Sequence, residues 1–365
     1  MKKSKFYRSL EEKVNRYGGY YNAHMHLDRV HTYDLPLSQK SEHLALSQKH
    51  SAISDIHKSY AYSTDILYQR MNTAMKTMIG VNTTRADSVI DISARDIGLR
   101  ALEVAKVISD EHQSVINFRI GAYCPLGFEQ GNSKNLKVLK KGIEIADFIG
   151  SLPERDDQKD YPTHIGFEES CRQLLELAVI NQIEIQIHTD QVNHPNECYT
   201  ERLLDVIENE GFSEFSKKSE SPKIWVIHMI SPSTYDEVRW NVLVSRLLDN
   251  NIGVICCPSA AIGMRQLRPI LTPTFNSIAR VLDLCAAGIQ VRLGSDNVDD
   301  MLSPSTTADL TDEVFVLSAA LRFYDVDLLA KLATGTRLDD IDRKKIQTHL
   351  NRDRNEILKA VHKWA

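Results

Sequence analysis

From about residue 75 onward the chain alternates between short, β-branched apolar runs and longer stretches whose apolar residues recur three and four positions apart. The first pattern predicts strands at 20–24, 82–89, 114–123, 148–152, 184–188, 224–228, 253–257 and 290–293. The second predicts helices between them. Residues 92–109 carry Ile97, Ala101, Val104, Ala105 and Ile108 on one face, and 167–181, 200–208, 233–249 and 275–287 continue the series. Such alternation is the mark of βα units, and eight of them close into a (β/α)8 TIM barrel of class α/β.

Two regions depart from the alternation. Residues 32–72, after the first strand, form a polar helical insertion rich in Ser, His and Lys. It reads first as a solvated excursion; its place beside the barrel mouth leaves a lid, or a contact between copies in a homo-oligomer, as the alternatives. After the last strand, residues 308–365 read as helices only, at 308–323, 326–334 and 339–364. No internal repeat, low-complexity tract or Pro/Gly linker divides the chain, so 1–365 is expected to be a single barrel domain.

Bulk properties narrow the partners. The 365 residues are 42% hydrophobic, enough for one large barrel and its core. A net charge of −5 with no extended basic stripe argues against nucleic acid. No run of about 18 apolar residues offers a membrane span, and residues 1–15 lack the apolar centre of a signal peptide. The six cysteines form no C-x-x-C pair and read as reduced thiols of a cytoplasmic protein. A small-molecule substrate is the partner that remains.

The chemistry lies at the strand ends. His24 and His26 are two apart at the end of the first predicted strand and share a face. His188, His228 and Asp296 each follow the apolar run of the fifth, sixth and eighth. Each has an ordinary reading alone: an H-x-H arises by chance, a histidine after a strand can be a satisfied core group, and Asp296 can cap a helix. Together, at one rim of a barrel, they make a metal site with His24, His26, His188 and Asp296 as ligands. Three neutral imidazoles and a carboxylate leave a divalent ion a position for water, whose pKa the ion lowers toward about 7. Asp296 can take that water's proton, and His228 can stabilise the oxygen that gains charge as an sp² carbon is attacked. Zinc suits the set best, and ferrous iron or manganese would also bind. No lysine ends the fourth strand, around Ile149 to Asp156, so a bridging carbamylated lysine is not expected and one ion is.

These motifs resemble those of the amidohydrolase superfamily, in particular its cytosine deaminase-like branch. Gly80 to Arg85 with Val89-Ile90-Asp91 resembles the branch's G-x-x-x-x-R and V-D of the second strand. Gly150 to Pro153 resembles its G-x-x-P. His188-Thr189-Asp190-Gln191 falls at H-x-D-E, Cys257-Pro258-Ser259 at N-P, and Gly294 to Val298 at G-[HS]-D-[DN]-V. The likeness runs from about residue 19 to 335. It implies a metal-dependent hydrolase acting on a non-peptide C–N bond of a small cyclic or heteroaromatic compound, with deamination as the reaction.

Three departures qualify that implication. The small β-sandwich such enzymes usually carry is not expected, because the first strand begins near residue 20 and the chain ends in helices. The proton-shuttling glutamate of H-x-D-E is Gln191 here, and an amide is no general acid near pH 7. Pro125 stands about where cytosine deaminases place a substrate-binding glutamine. Asp190, Glu154 or Asp296 alone could replace the missing acid; Glu154 could equally sit exposed in its Pro-Glu-Arg turn, and Asp190 reads as a capping group. Asp299 and Asp300 read as caps or surface groups, and Arg85 and Arg265 as ion-paired residues before substrate-anion holders. The alternatives to deamination are hydrolysis of a cyclic amide, or of a C–N bond in a side group, with Asp296 as sole acid and base, and a metal-binding homologue without turnover.

Overall fold

In the computed structural model, which describes residues 4–35, 46–264 and 278–364, eight parallel strands follow one another around one sheet in chain order. They are β1 (Tyr20–Asn22), β2 (Thr83–Asp91), β3 (Asn117–Tyr123), β4 (Phe148–Ser151), β5 (Glu184–Thr189), β6 (Ile224–His228), β7 (Ile252–Cys256) and β8 (Val291–Leu293). Every boundary lies within three residues of the apolar run that announced it. The ring closes between its first and last members. Ala23 N–H donates to Leu293 C=O at 2.8 Å, Asp296 N–H to His24 C=O at 3.0 Å, and His26 N–H to Asp296 C=O at 3.0 Å. The described residues hold no second sheet.

Strand residues alternate between two cores. Outward-facing Ile90, Ile120, Ile149, Ile187, Val226 and Val254 join the surrounding helices in one continuous apolar layer. Inward-facing residues form smaller clusters, Tyr21, Ala23, Trp225, Ile227, Ile255 and Cys257 on one side and Val89, Tyr123, Phe148 and Leu152 on the other. Large residues fill a barrel interior only where a neighbour is small. A Cβ at Gly253 would fall 2.3 Å from the Trp225 ring, so glycine is what lets the indole cross the axis. Toward the strand N-termini the interior turns polar. Asp87 accepts from Tyr21 Oη at 2.7 Å and Arg119 Nη1 at 3.0 Å, while Glu184 lies 3.6 Å from Arg119 and 3.7 Å from Arg292.

The helices run α1 (Lys5–Arg16), α2 (Leu46–Lys58), α3 (Thr64–Gly80), α4 (Arg100–His112), α5 (Lys134–Ile143), α6 (Phe167–Asn181), α7 (Tyr199–Asn209) and α8 (Ser213–Lys217). Then come α9 (Glu237–Asp249), α10 (Pro258–Ile262), α11 (Val281–Ala287), α12 (Leu310–Leu321), α13 (Val326–Thr334) and α14 (Asp340–Trp364). Three start later than the periodicity suggests, among them α11, which begins at Val281 although a helix was expected from 275 (residues 275–277 lie outside the described part). Ser93 and Gly98 exchange backbone hydrogen bonds, so a tight turn occupies the beginning of the stretch that was to open α4. Ahead of α9, Ser231–Thr234 is a 3₁₀ turn, and the Asp236 carboxylate caps the helix by accepting Arg239 N–H at 2.8 Å. The N-terminal α1 was not foreseen. It buries Leu10 and Val14, and its Lys13 pairs with Asp327 of α13 at 2.8 Å. Among the described residues no helix is long and apolar enough to cross a membrane.

The insertion differs from the solvated excursion expected of it. Its residues 36–45 lie outside the described part, but α2, the 3₁₀ turn Tyr60–Tyr62 and the start of α3 are fixed to the barrel mouth. Ile53, Ile56, His57 and Tyr62 are buried there. Asp91, at the end of β2, accepts two bonds from Arg29 at 2.9 and 2.6 Å and stands 2.9 Å from His57 Nε2. Tyr62 donates to Asp28 at 2.6 Å, and Arg70 donates to the carbonyls of Asp28, Ala61 and Val30. Burial opposes ionisation of Asp91, but Arg29 and His57 outweigh it and hold its carboxyl below the usual range. Asp91→Ala would leave the Arg29 guanidinium buried without its partner. It should cost about 3–5 kcal/mol in denaturant unfolding; a change below about 1 kcal/mol would show that Asp91 does not tie Arg29 and the insertion's His57 together at the mouth.

Candidate metal centre and cavity

β1 continues past Asn22 as an extended segment that pairs with the segment after β8 through the bridge of Met25 to Asp296. His24 and His26 alternate with Met25 along it and face the barrel axis at the strand C-termini. His188 comes from β5, His228 ends β6, and Asp296 follows β8. Asp190, His228 and Asp296 all take positive φ, at 58°, 74° and 59°, backbone strain placed at three strand ends around one rim. The close approach of the two closing segments needs a glycine. A Cβ at Gly294 would meet His24 O at 2.7 Å and His24 Cβ at 2.9 Å.

One nitrogen or oxygen from each of His24, His26, His188 and Asp296 lies within 4.8 Å of the others, all four residues being buried. Asp296 Oδ1 stands 3.2 Å from His26 Nε2 and 3.5 Å from His24 Nε2. Donors about 2.0–2.1 Å from a tetrahedral ion are separated by about 3.4 Å, so these spacings fit. The tautomers fit too. His188 Nδ1 reaches the Ser151 carbonyl at 2.8 Å and His24 Nδ1 lies 3.4 Å from Gln186 Oε1, so each ring turns its Nε2 lone pair inward. Both Nε2 atoms are buried without a hydrogen-bond partner, which a protein tolerates where an ion completes the site. Burial, with Arg29 nearby, lowers His26 to about 4, and burial with neighbouring His24 takes His188 well below its usual value. Burial would raise Asp296, but the nearby ring nitrogens of His24 and His26 outweigh it and keep the carboxyl well below its ordinary range. Neutral imidazoles and an ionised carboxylate are the forms a divalent cation requires. The cluster therefore supports a metal ion.

His228 stands beside the cluster, its ring centre 5.4 Å from that of His188 and 6.1 Å from that of His24. Burial lowers it to about 4, so it too is neutral. Above lies a cavity of about 740 Å³, within the ~300–1,000 Å³ span of small-molecule sites. His26, His188, His228 and Asp296 form its floor. Gln191 reaches its wall, whereas Glu154 lies behind that wall and contacts the Gln191 amide at 3.0 Å. Glu154 is buried rather than exposed in its turn, and it also accepts Asp190 N–H at 2.7 Å. Burial, with Glu197 and Asp190 close by, pushes the Glu154 carboxyl well above its ordinary value. Asp190 caps α7, accepting Tyr199 and Thr200 N–H at 2.7 and 3.0 Å.

Other candidates lie apart from the cavity. Arg85 falls near the start of β2, exposed and stacked 4.1 Å over the Tyr21 ring; among the described residues it pairs with no acid, and it does not line the cavity. Asp299 pairs with His31 at 2.7 Å, and Asp300 is buried and accepts Leu302 and Ser303 N–H. Arg265 lies outside the described residues. All six cysteines carry free thiols. Lys49 and His50 of the insertion, and Glu313 of α12, line the cavity and were missed. The first two were hidden in a His- and Lys-rich polar stretch. Glu313 did leave a signal, an acid on the apolar stripe of Leu310, Val314 and Leu317.

A (β/α)8 barrel with three imidazoles and a carboxylate converging at its C-terminal rim is thus the class of protein that fold and site define. No protein-family model matches the chain. An uncharacterised protein of Haemophilus influenzae is 25% identical over 278 residues, 74% of this chain and 91% of that one. The 5-methylcytosine deaminase of Klebsiella pneumoniae, liganded with 5-fluorocytosine, superposes with a TM-score of 0.73 at 19% identity, over 86% of this chain and 72% of that one. N-isopropylammelide isopropylaminohydrolase of Burkholderia multivorans gives 0.64 at 16% identity, over 91% and 82%. Atrazine chlorohydrolase of Arthrobacter aurescens, complexed with zinc, gives 0.58 at 12% identity, over 87% and 70%. The chain shares the fold of these enzymes, and the resemblance read from its motifs holds at the level of fold.

The loop that carries Gln191 has a pH dependence of its own. Burial, and then the Asp190 charge, push Glu197 from an ordinary 4.5 up to about 8. The folded state therefore holds this proton more tightly than the unfolded protein, and stability falls as pH climbs from about 4.5 to about 8. One such proton sets a ceiling of about 1.4 kcal/mol per pH unit. Glu197→Gln should flatten the decline of Tm over that interval; parallel Tm profiles for the two proteins would mean that Glu197 titrates normally.

Proposed function

We propose that the whole protein acts as one metal-dependent hydrolase of the amidohydrolase superfamily. Its substrate is a small cyclic or heteroaromatic compound with a non-peptide C–N bond, and its reaction is deamination of a cytosine deaminase-like type. The observation that carries this reading is the four-donor cluster of His24, His26, His188 and Asp296 at the floor of a cavity of ligand size. The fold agrees with it: enzymes sharing it include deaminases of 5-methylcytosine and of guanine.

One divalent ion held by those four residues, zinc before iron or manganese, would supply Lewis acidity and a water of lowered pKa. The roles of the protein's own groups follow from their environments. Asp296, kept ionised, takes the water's proton and returns it to the departing nitrogen. Its Oδ2 is steadied by the Asn297 amide at 3.2 Å. His228, neutral at pH 7, offers a ring N–H to the oxygen that gains charge as the carbon becomes tetrahedral, a contribution of about 10²–10³ in kcat. Gln191 orients the ring from the wall, and Glu154 behind it positions that amide.

A second reading has one observation in its favour. The cavity wall carries an amide at 191, not a carboxylic acid, and an amide cannot shuttle protons. Hydrolysis of a cyclic amide, or of a C–N bond in a side group, with Asp296 as sole acid and base, needs no such shuttle. Aminated heterocycles should release ammonia if the first reading holds, and ring opening should yield a carboxylate without ammonia if the second does. Purified protein should hold about one metal per molecule. His188→Ala and Asp296→Ala should lose most of it and cut turnover by about 10³-fold or more. Wild-type protein without stoichiometric metal, or variants with unchanged turnover, would sink both readings. Metal-loaded protein inert until Gln191→Glu is introduced would mark a homologue that has lost its reaction.

A further inference from the structure

Glu313 is a buried carboxyl that the reaction above does not use. It lies in the first turn of α12, on the apolar face of that helix, and is 2% exposed. Its Oε2 accepts the backbone N–H of Ser259 at 2.8 Å, and its Oε1 accepts the Ser259 hydroxyl. Ser259 follows β7, so the carboxyl is stitched to the barrel mouth, and both residues line the cavity. Among the described residues no lysine, arginine or histidine pairs with it. The charges that weigh most on it are those of Asp296 and Asp312, both of its own sign.

A carboxylate buried against one amide and one hydroxyl, with acids for neighbours, bears a desolvation cost that no countercharge among the described residues offsets. Packing would be served as well or better by an apolar residue on this stripe. The group's open side is the cavity, so its partner belongs to whatever fills the cavity. A carboxylate without a countercharge selects N–H donors that carry positive charge, best as two parallel donors. The amidine edge of an amino-substituted heterocycle, exocyclic amine beside ring N–H, has that form. Burial also raises the carboxyl toward about 7, a cost that a cationic ligand would reverse.

We propose that Glu313 is a specificity-determining residue that binds an amidine-type N–H edge of the substrate, which therefore carries an amino group besides the nitrogen at the bond cleaved. The inference rests on reading the cavity as the substrate site and narrows the compounds that reading admits.

Calorimetric binding to the metal-loaded protein tests it with two probes, 2,4-diaminopyrimidine and 4-aminopyrimidine, which differ by the second amino group. Wild type should bind the diamine at least about tenfold tighter. Glu313→Gln, which keeps an acceptor for Ser259, should bring the two affinities within about twofold while leaving 4-aminopyrimidine binding in place. Equal binding of the two probes by wild type overturns the proposal whether or not the variant folds, and so does a preference that survives in folded Glu313→Gln. Ammonia release is read separately. A preference lost in the variant with no turnover of any compound upholds the role of Glu313 and removes the proposed reaction. Turnover without preference does the reverse.

Discussion

Three backbone hydrogen bonds join the segment after β1 to Leu293, the last residue of β8, and to Asp296 beyond it; they close the barrel, and the same contacts assemble the candidate site. His24, His26 and Asp296 are separated by most of the sequence, yet their backbones bond directly to one another. The side chains that approach within 3.2 to 3.5 Å are those of the residues making that seam. Gly294 is what permits it, since any side chain there would collide with the His24 backbone. Closing the sheet and gathering the donors are therefore one event. His188 is added by β5 across the ring, held by a carbonyl of β4.

Beneath the donors the barrel interior is not simply apolar. Gln186 links His24 to Asp87, at 3.4 and 3.3 Å, and Asp87 in turn is held by Tyr21 and Arg119. The ring nitrogen that sets the His24 tautomer is thus the upper end of a polar column that runs down the axis. Such a network is costly to bury and worth retaining where it fixes an orientation. Coordination geometry at the rim and polar satisfaction of the interior depend on each other through one glutamine.

The strands and the donor residues were legible because each is a local signal. A strand buried on both faces reads as a continuous β-branched run, and a polar residue that ends it has a face assigned by its register alone. What could not be read was set by contacts between segments far apart. The insertion is polar enough to pass for a solvated excursion, and the bonds of Asp91 with Arg29 and His57 that bury it join three separate segments. Arg85 misled for a different reason: the second strand continues to Asp91, which leaves Arg85 near its start and away from the mouth. Glu313 lay between these cases, visible as an acid on an apolar stripe but meaningless until α10, which follows β7, was placed beside α12.

The pair of Glu154 and Gln191 places a buried acid directly behind an amide at the cavity wall. The resemblance calls for an acid at 191, and an amide stands there. Yet a carboxyl lies 3.0 Å away, buried, on the turn after the neighbouring strand. From behind the cavity wall it can reach a ligand only through the amide, so its effect on chemistry is to set which way that amide points. Ionised, Glu154 accepts the amide N–H₂ and turns the Gln191 carbonyl toward the cavity; protonated, it donates to that carbonyl and turns the amide N–H₂ outward. Burial and the acids Glu197 and Asp190 favour the protonated form, while the Asp190 N–H favours the ionised one. Under the proposed function, this gives the cavity wall a group whose hydrogen-bonding sense is set by the charge behind it, which suits recognition of a ring edge better than proton transfer to it.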